Sequence, residues 1–158
     1  MIYVIHAQSG TEQDIVRSLA INGIQAYAPR QELLERRGGR WNTVQRFLFP
    51  GYVFADIRLT DDLYHIIKNT AGVIRILGDP TPLPFFEQQR MQWIFDAGLI
   101  GINKGYLKDG RLTITEGFLK GRESEIVSIS HRQKRCRLYC EINGKRHYFS
   151  VSAEINKI

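Results

Sequence analysis

The hydrophobic period of this chain changes once, near residue 97. Before that point apolar residues recur at both helical and strand spacing. After it they recur at strand spacing alone. A chain patterned this way reads as two units of different class rather than one uniform layer. Charge divides at the same place. Residues 1–100 balance their charges, so the whole formal net charge of +6 falls in residues 101–158. A basic excess confined to one unit implies an acidic partner, of which nucleic acid is the commonest. Between the units, Gly98, Gly101, Gly105 and Gly110 mark residues 98–110 as a linker.

Within residues 1–97 the elements follow from local signals. Ile2–His6 is apolar and β-branched, hence a strand. Ser9 with Glu12, or Thr11 with Asp14, has the spacing of a capping box before the stripe of Ile15, Val16 and Leu19. Asn22-Gly23 ends that helix, and Ile24–Ala28 is a second strand. Residues 30–46 are rich in arginine, with Gly38-Gly39 predicting a flexible hairpin tip. Strand character resumes over Phe47–Ile57. Beyond Pro50-Gly51, alternation sets Tyr52, Phe54 and Asp56 on one face and Val53, Ala55 and Ile57 on the other. The second set suits a core. The first is either an exposed aromatic pair or the floor beneath a helix. A helix over Asp61–Lys68 capped by Thr60 or Asp61, a strand over Gly72–Leu77 and a helix from Pro84 to Phe95 complete an α+β domain. Residues 111–158 hold short strands between glycine and charged turns, the pattern of a small barrel.

The chemistry-bearing residues exclude more than they suggest. Cys136 and Cys140 lie four apart on one strand face, about 13 Å from each other, too far to share an ion. No phosphate loop, nucleophile motif or carboxylate pair stands out, so no cofactor, metal or enzymatic activity is expected. No apolar run reaches the roughly 18 residues of a membrane helix, and no signal peptide is evident. A cytoplasmic monomer is expected.

Two groups of segments carry a family resemblance. IYVIHAQSGTEQDIV (2–16), FPGYVFADI (49–57), NTAGVIRILG (69–78) and PLP (82–84) resemble the N-terminal domain of NusG-type transcription elongation factors. ITEGFLKGRESEIVSISHRQKRCRLYCEING (114–144) is similar to the KOW motif of the same family, set in an SH3-like barrel. The resemblance implies an N-terminal αβ sandwich, an antiparallel sheet with flanking helices, over 1–97, and a KOW barrel over 111–158. It implies a regulator of pausing and termination whose apolar surface, here Tyr52, Phe54 and Leu77, docks on the clamp helices of RNA polymerase. It places Asn69 and Thr70 where some members read the non-template DNA strand; a plain helix-terminal turn is the other reading of that pair. Gln8-Ser9 stand where RfaH-like members carry basic residues.

Arg36, Arg37, Arg40 and Trp41 suit phosphates and stacked bases, or else form a solvated turn. They resemble the loop of specialised paralogues of the LoaP type, which are recruited by an RNA hairpin to suppress termination on chosen operons. In the KOW loop, Phe118 and Leu119 remain apolar. Arg122 replaces the apolar residue through which general factors reach ribosomal protein S10 or Rho. The alternatives are a general NusG-type coupling factor and a KOW-bearing ribosome-associated protein.

Overall fold

A computed structural model describes all residues 1–158. In chain order the elements are β1 (Ile2–Ala7), α1 (Glu12–Ile21), β2 (Gln25–Tyr27), β3 (Arg30–Arg37), β4 (Arg40–Phe47), β5 (Tyr52–Asp56), α2 (Asp61–Lys68) and β6 (Val73–Ile76). They continue with α3 (Phe85–Ala97), β7 (Leu99–Ile100), β8 (Asn103–Lys108), β9 (Arg111–Glu116), β10 (Ser128–Ser130), β11 (Arg135–Ile142) and β12 (Lys145–Lys157). The fold is mixed α+β, as the residue pattern implies. No helix is long and apolar enough to cross a membrane. The chain divides into two compact units. The first comprises 1–28, 49–95 and 142–145; the second comprises 29–48, 96–141 and 146–158.

The first unit is an antiparallel sheet of order β2-β5-β1-β6. Its helix-facing core joins Ile5, Val53 and Ala55 to Ile15 and Leu19 of α1 and Ile67 of α2. Local chemistry sets the helix ends. Thr60 Oγ1 accepts the Leu63 N–H (3.2 Å) and caps α2. At α1 neither expected capping box closes. Instead the buried Glu12 carboxylate accepts from the N–H groups of Gly10 (2.6 Å) and Gly51 (3.3 Å), joining two loops. Gly23, at φ +73°, supplies the left-handed residue that stops α1. On the opposite sheet face α3 lays down Phe95. The Glu87 carboxylate of α3 is also buried, accepting from the Asn143 (2.7 Å) and Gly144 (3.0 Å) N–H groups of the turn that belongs to this unit.

The second unit holds two sheets, a three-stranded one of order β4-β3-β7 and a five-stranded one of order β10-β11-β12-β8-β9. Strands β3 and β4 form an antiparallel ribbon in register from Arg30↔Phe47 to Arg37↔Arg40. Gly38 and Gly39 turn it at φ +56° and +76°, the positive pair a two-residue hairpin loop demands. The five-stranded sheet buries Ile114, Leu138, Phe149 and Val151.

Residues 98–110, expected as a linker, contain β7 and β8. Strand β8 pairs with β9 antiparallel and with β12 in parallel. The glycine signal misleads here because Gly105 serves packing, not flexibility. A Cβ at Gly105 would run into the Thr113 carbonyl oxygen. The arginine-rich segment 30–46 is likewise a regular ribbon rather than a loose tip, and it belongs to the second unit.

Candidate partner and nucleic-acid interfaces

In the first unit, register places Ile2, Val4 and His6 of β1 directly opposite Asp56, Phe54 and Tyr52 of β5, so all six share one face. The two halves of that face differ. Phe54 is wholly buried. Its ring packs edge-on to Phe49 (5.7 Å) and tilted against Phe95 of α3 (5.2 Å), which in turn stacks on Tyr27 (5.0 Å). Of the two readings of this face, the floor beneath a helix holds for Phe54, so its expected place in an exposed docking surface is corrected: α3 roofs it, and only Tyr52 stays half-open. Tyr52 stacks on the His6 imidazole (5.9 Å, 28°). Leu77 is also half-buried and donates its N–H to the Val4 carbonyl (2.8 Å), extending the β6 ladder beside the strand that carries His6.

Asn69 and Thr70 end α2. The Thr70 hydroxyl donates to the Ile66 carbonyl (2.7 Å), so its donor is spent within the helix end, while Asn69 is exposed. The following turn is fixed against the β1–α1 loop. Gly72 accepts from the Gln8 N–H (2.9 Å), and a Cβ at Gly72 would lie 2.6 Å from Thr11 Oγ1. Two segments distant in sequence, Gln8–Gly10 and Asn69–Gly72, thus make one polar surface.

In the second unit the ribbon sorts its arginines onto two faces. Arg36 pairs with Trp41, and Arg37 with Arg40. Alternation puts Arg36 and Trp41 on the face of Leu34, and Arg37 and Arg40 on the face of Glu35. Glu35 is ion-paired there with Arg37 (3.5 Å) and Arg46 (3.4 Å). The expected cluster of three arginines is thus split. The edge of β3 past β7 is sealed by polar side chains. Ser152 Oγ accepts the Leu34 N–H (2.8 Å), and the Arg135 guanidinium donates to the Leu34 carbonyl (2.6 Å) and to Ser152 Oγ (2.8 Å). Gln31 Nε2 adds a bond to the Ser150 carbonyl (2.8 Å). Burial pulls the Arg135 guanidinium below its ordinary value, with Glu35 opposing.

The loop after β9 departs from expectation at one residue. Leu119 is fully buried and its N–H donates to Asn103 Oδ1 (2.8 Å), whose Nδ2 donates to the Ser152 carbonyl (3.1 Å). Leu119 is therefore core and not a partner contact. Phe118 is half-buried and Arg122 exposed. Cys136 and Cys140 are both buried, and burial pushes the Cys136 thiol up to about 11. Sequence reasoning missed a feature of β11 and β12. Arg137 stacks over Tyr148 (4.0 Å) and Arg146 over Tyr139 (4.1 Å), with the two rings 5.8 Å apart. Only the alternation of Arg137 with Tyr139 and of Arg146 with Tyr148 hinted at it.

A helix-flanked antiparallel sheet and a small β unit make this a two-part protein of mixed α+β class. The family model described as "Transcription termination factor nusG" matches residues 2–92. The chain is 31% identical over 158 residues to the transcription termination/antitermination protein NusG of Buchnera aphidicola, covering 82% of this chain and 87% of that protein. It is also 31% identical over 96 residues to NusG of Bacillus subtilis, where the match spans about half of each (51% of this chain and 54% of the relative). A solved structure of Thermotoga maritima NusG superimposes with a TM-score of 0.52 at 19% identity, over 96% of this chain and 92% of that one, which shows the fold. The chain belongs to the NusG family of transcription termination and antitermination factors. Members of that family are not enzymes.

Proposed function

We propose that this chain is an operon-specific processive antiterminator, recruited through nucleic acid and acting on RNA polymerase in the cytoplasm. The observation that carries the reading is the β3–β4 ribbon, whose turn end holds Arg36, Arg37, Arg40 and Trp41 on two regular strands. Arginine grips phosphate through two hydrogen bonds and stacks on bases, so a stiff arginine-bearing ribbon suits an RNA hairpin. Asn69, beside Gln8-Ser9, offers a second contact, to exposed non-template DNA.

Polymerase docking falls to the open half of the β1–β5 face, at Tyr52 and Leu77, with buried Phe54 holding the surface in shape. Coupling to S10 or Rho is disfavoured, because Leu119 is inaccessible and Arg122 is a poor apolar anchor. The test is single-round transcription through an intrinsic terminator with purified polymerase, on templates with and without the leader of the operon next to the gene. Read-through that rises only on the leader template supports the reading. Equal read-through on both templates indicates a general factor. Tyr52→Ala with Leu77→Ala should abolish the effect while the fold persists.

A further inference from the structure

The ribbon face carrying Arg36 and Trp41 is not the edge of the molecule's basic surface. It forms one wall of a groove of about 520 Å³. The opposite wall is the turn from His131 to Arg135 between β10 and β11, and both walls belong to the second unit. That volume lies in the range of clefts that hold a nucleotide-sized ligand, about 300–1,000 Å³.

The charges in the groove are unequally committed. The Arg135 guanidinium is spent on the Leu34 carbonyl and Ser152 Oγ, so it fixes the two walls to each other. Glu35, which also borders the groove, is held by Arg37 and Arg46 on the other face of the ribbon. Arg36 and Arg132 are exposed and make no ion pair. Lys134 reaches across the groove and sets its Nζ 4.6 Å above the Trp41 ring. Lys134 also adopts φ +54°, a left-handed conformation that glycine or asparagine takes more cheaply. A lysine at this position projects a flexible cation over the indole. When a base arrives, the ammonium can leave the ring and follow the phosphate.

We propose that this groove binds a single-stranded nucleic-acid segment, one base stacked on Trp41 and the adjoining phosphates held by Arg36, Arg132 and Lys134. The proposal rests on the reading that the ribbon binds nucleic acid, and it adds that half of the site comes from the β10–β11 turn. Arg37 and Arg40, on the other ribbon face, lie outside it.

The test uses the full chain carrying Trp93→Phe, so that Trp41 alone reports by fluorescence. The probes are a labelled RNA single strand of about ten nucleotides, the DNA of the same sequence, and the RNA in duplex form. The single strand should quench Trp41. Arg132→Ala with Lys134→Gln should weaken binding about tenfold or more and reduce the salt slope by roughly 0.7 per lost phosphate contact. Lys134→Arg should restore most of the affinity. Trp41→Ala should remove a comparable share, since base–aromatic stacking is worth about 1–3 kcal/mol, or 5- to 150-fold. Preference for RNA or for DNA identifies the transcript or the displaced strand as the source. If the turn variant binds as the parent does while Arg36, Arg37 and Arg40 changed to Ala abolish binding, the groove is wrong and the ribbon reading stands. If the duplex binds best without quenching Trp41, the groove is wrong and the ribbon reading, which is of a hairpin, stands; if neither variant changes binding, both fail. Unchanged melting temperatures of the turn variants exclude misfolding as the cause.

Discussion

Two strand faces of this molecule carry aromatic residues and have opposite fates. On β5 of the first unit, Phe54 lies under a helix, locked against Phe49 and Phe95. On β4 of the second unit, Trp41 is half-exposed at the wall of a groove, with the ammonium of Lys134 over its ring. Alternation determines which residues share a face; it does not determine what covers that face. The cover comes from distant segments: α3 for Phe54, a lysine on a strained turn for Trp41. A helix excludes water and makes a core. A single mobile cation leaves a surface that a stronger ligand can claim.

The comparison breaks most readily at Phe54. Phe54→Ala should cost about 3–5 kcal/mol in urea unfolding, as for other wholly buried aromatics. Tyr52→Ala, at the half-open end of the same face, should cost about 1 kcal/mol, the worth of an aromatic pair. Equal costs would mean that α3 does not roof the sheet in solution.

This difference also shows where the sequence was readable. The Gly23 stop, the Thr60 cap and the Pro84 start were legible because each depends on neighbours within one turn of helix. The family was legible because its motifs are contiguous strings. Other features were not. The burial of Phe54 depends on Phe95, and that of Leu119 on Asn103. Strand β8 hid in a glycine-rich stretch, because Gly105 looks the same whether it serves flexibility or close packing. The split of Arg36 from Arg37 and Arg40 needed the strand register. The bond from Arg135 to Leu34 spans 101 residues, and no local pattern announces it.

A second prediction sharpens the contrast between an apolar roof and polar ties. Asn103 is fully buried in the second unit and satisfies both the Leu119 N–H and the Ser152 carbonyl. Asn103→Ala should orphan both groups, at about 1–3 kcal/mol each. The loss should appear as faster amide exchange at Leu119. Exchange unchanged from the parent would show that water replaces the carboxamide without cost.

Trp41 is the mirror of Phe54 and should give the smaller effect on stability. Trp41→Ala loses the stack with Lys134, worth about 0.5–1 kcal/mol at an exposed site. A double-mutant cycle between Trp41→Ala and Lys134→Gln should return a coupling of that order. A coupling of several kcal/mol would mark Trp41 as core and remove it as a binding surface.

The smallest effect concerns pH and separates the two kinds of cover again. The apolar roof on Phe54 has no proton to exchange. In the second unit, Glu123 is held by hydrogen bonds that titrate. Its carboxyl sits below the ordinary value, first through its own backbone N–H and then through that of Ile114, whose bond to Oε1 is 3.1 Å. Because the folded value is the lower one, the unfolded chain takes up the proton first as pH falls. The stabilisation is complete above the unfolded value and disappears as pH drops through the folded value. Acidification from neutral pH should therefore lower the unfolding midpoint of the parent more than that of Glu123→Gln, which cannot ionise. The amide resonance of Ile114 should shift with the same midpoint as the Glu123 carboxyl. Identical pH slopes in parent and variant, with a still Ile114 amide, would mean that solvent rather than Glu123 satisfies that N–H.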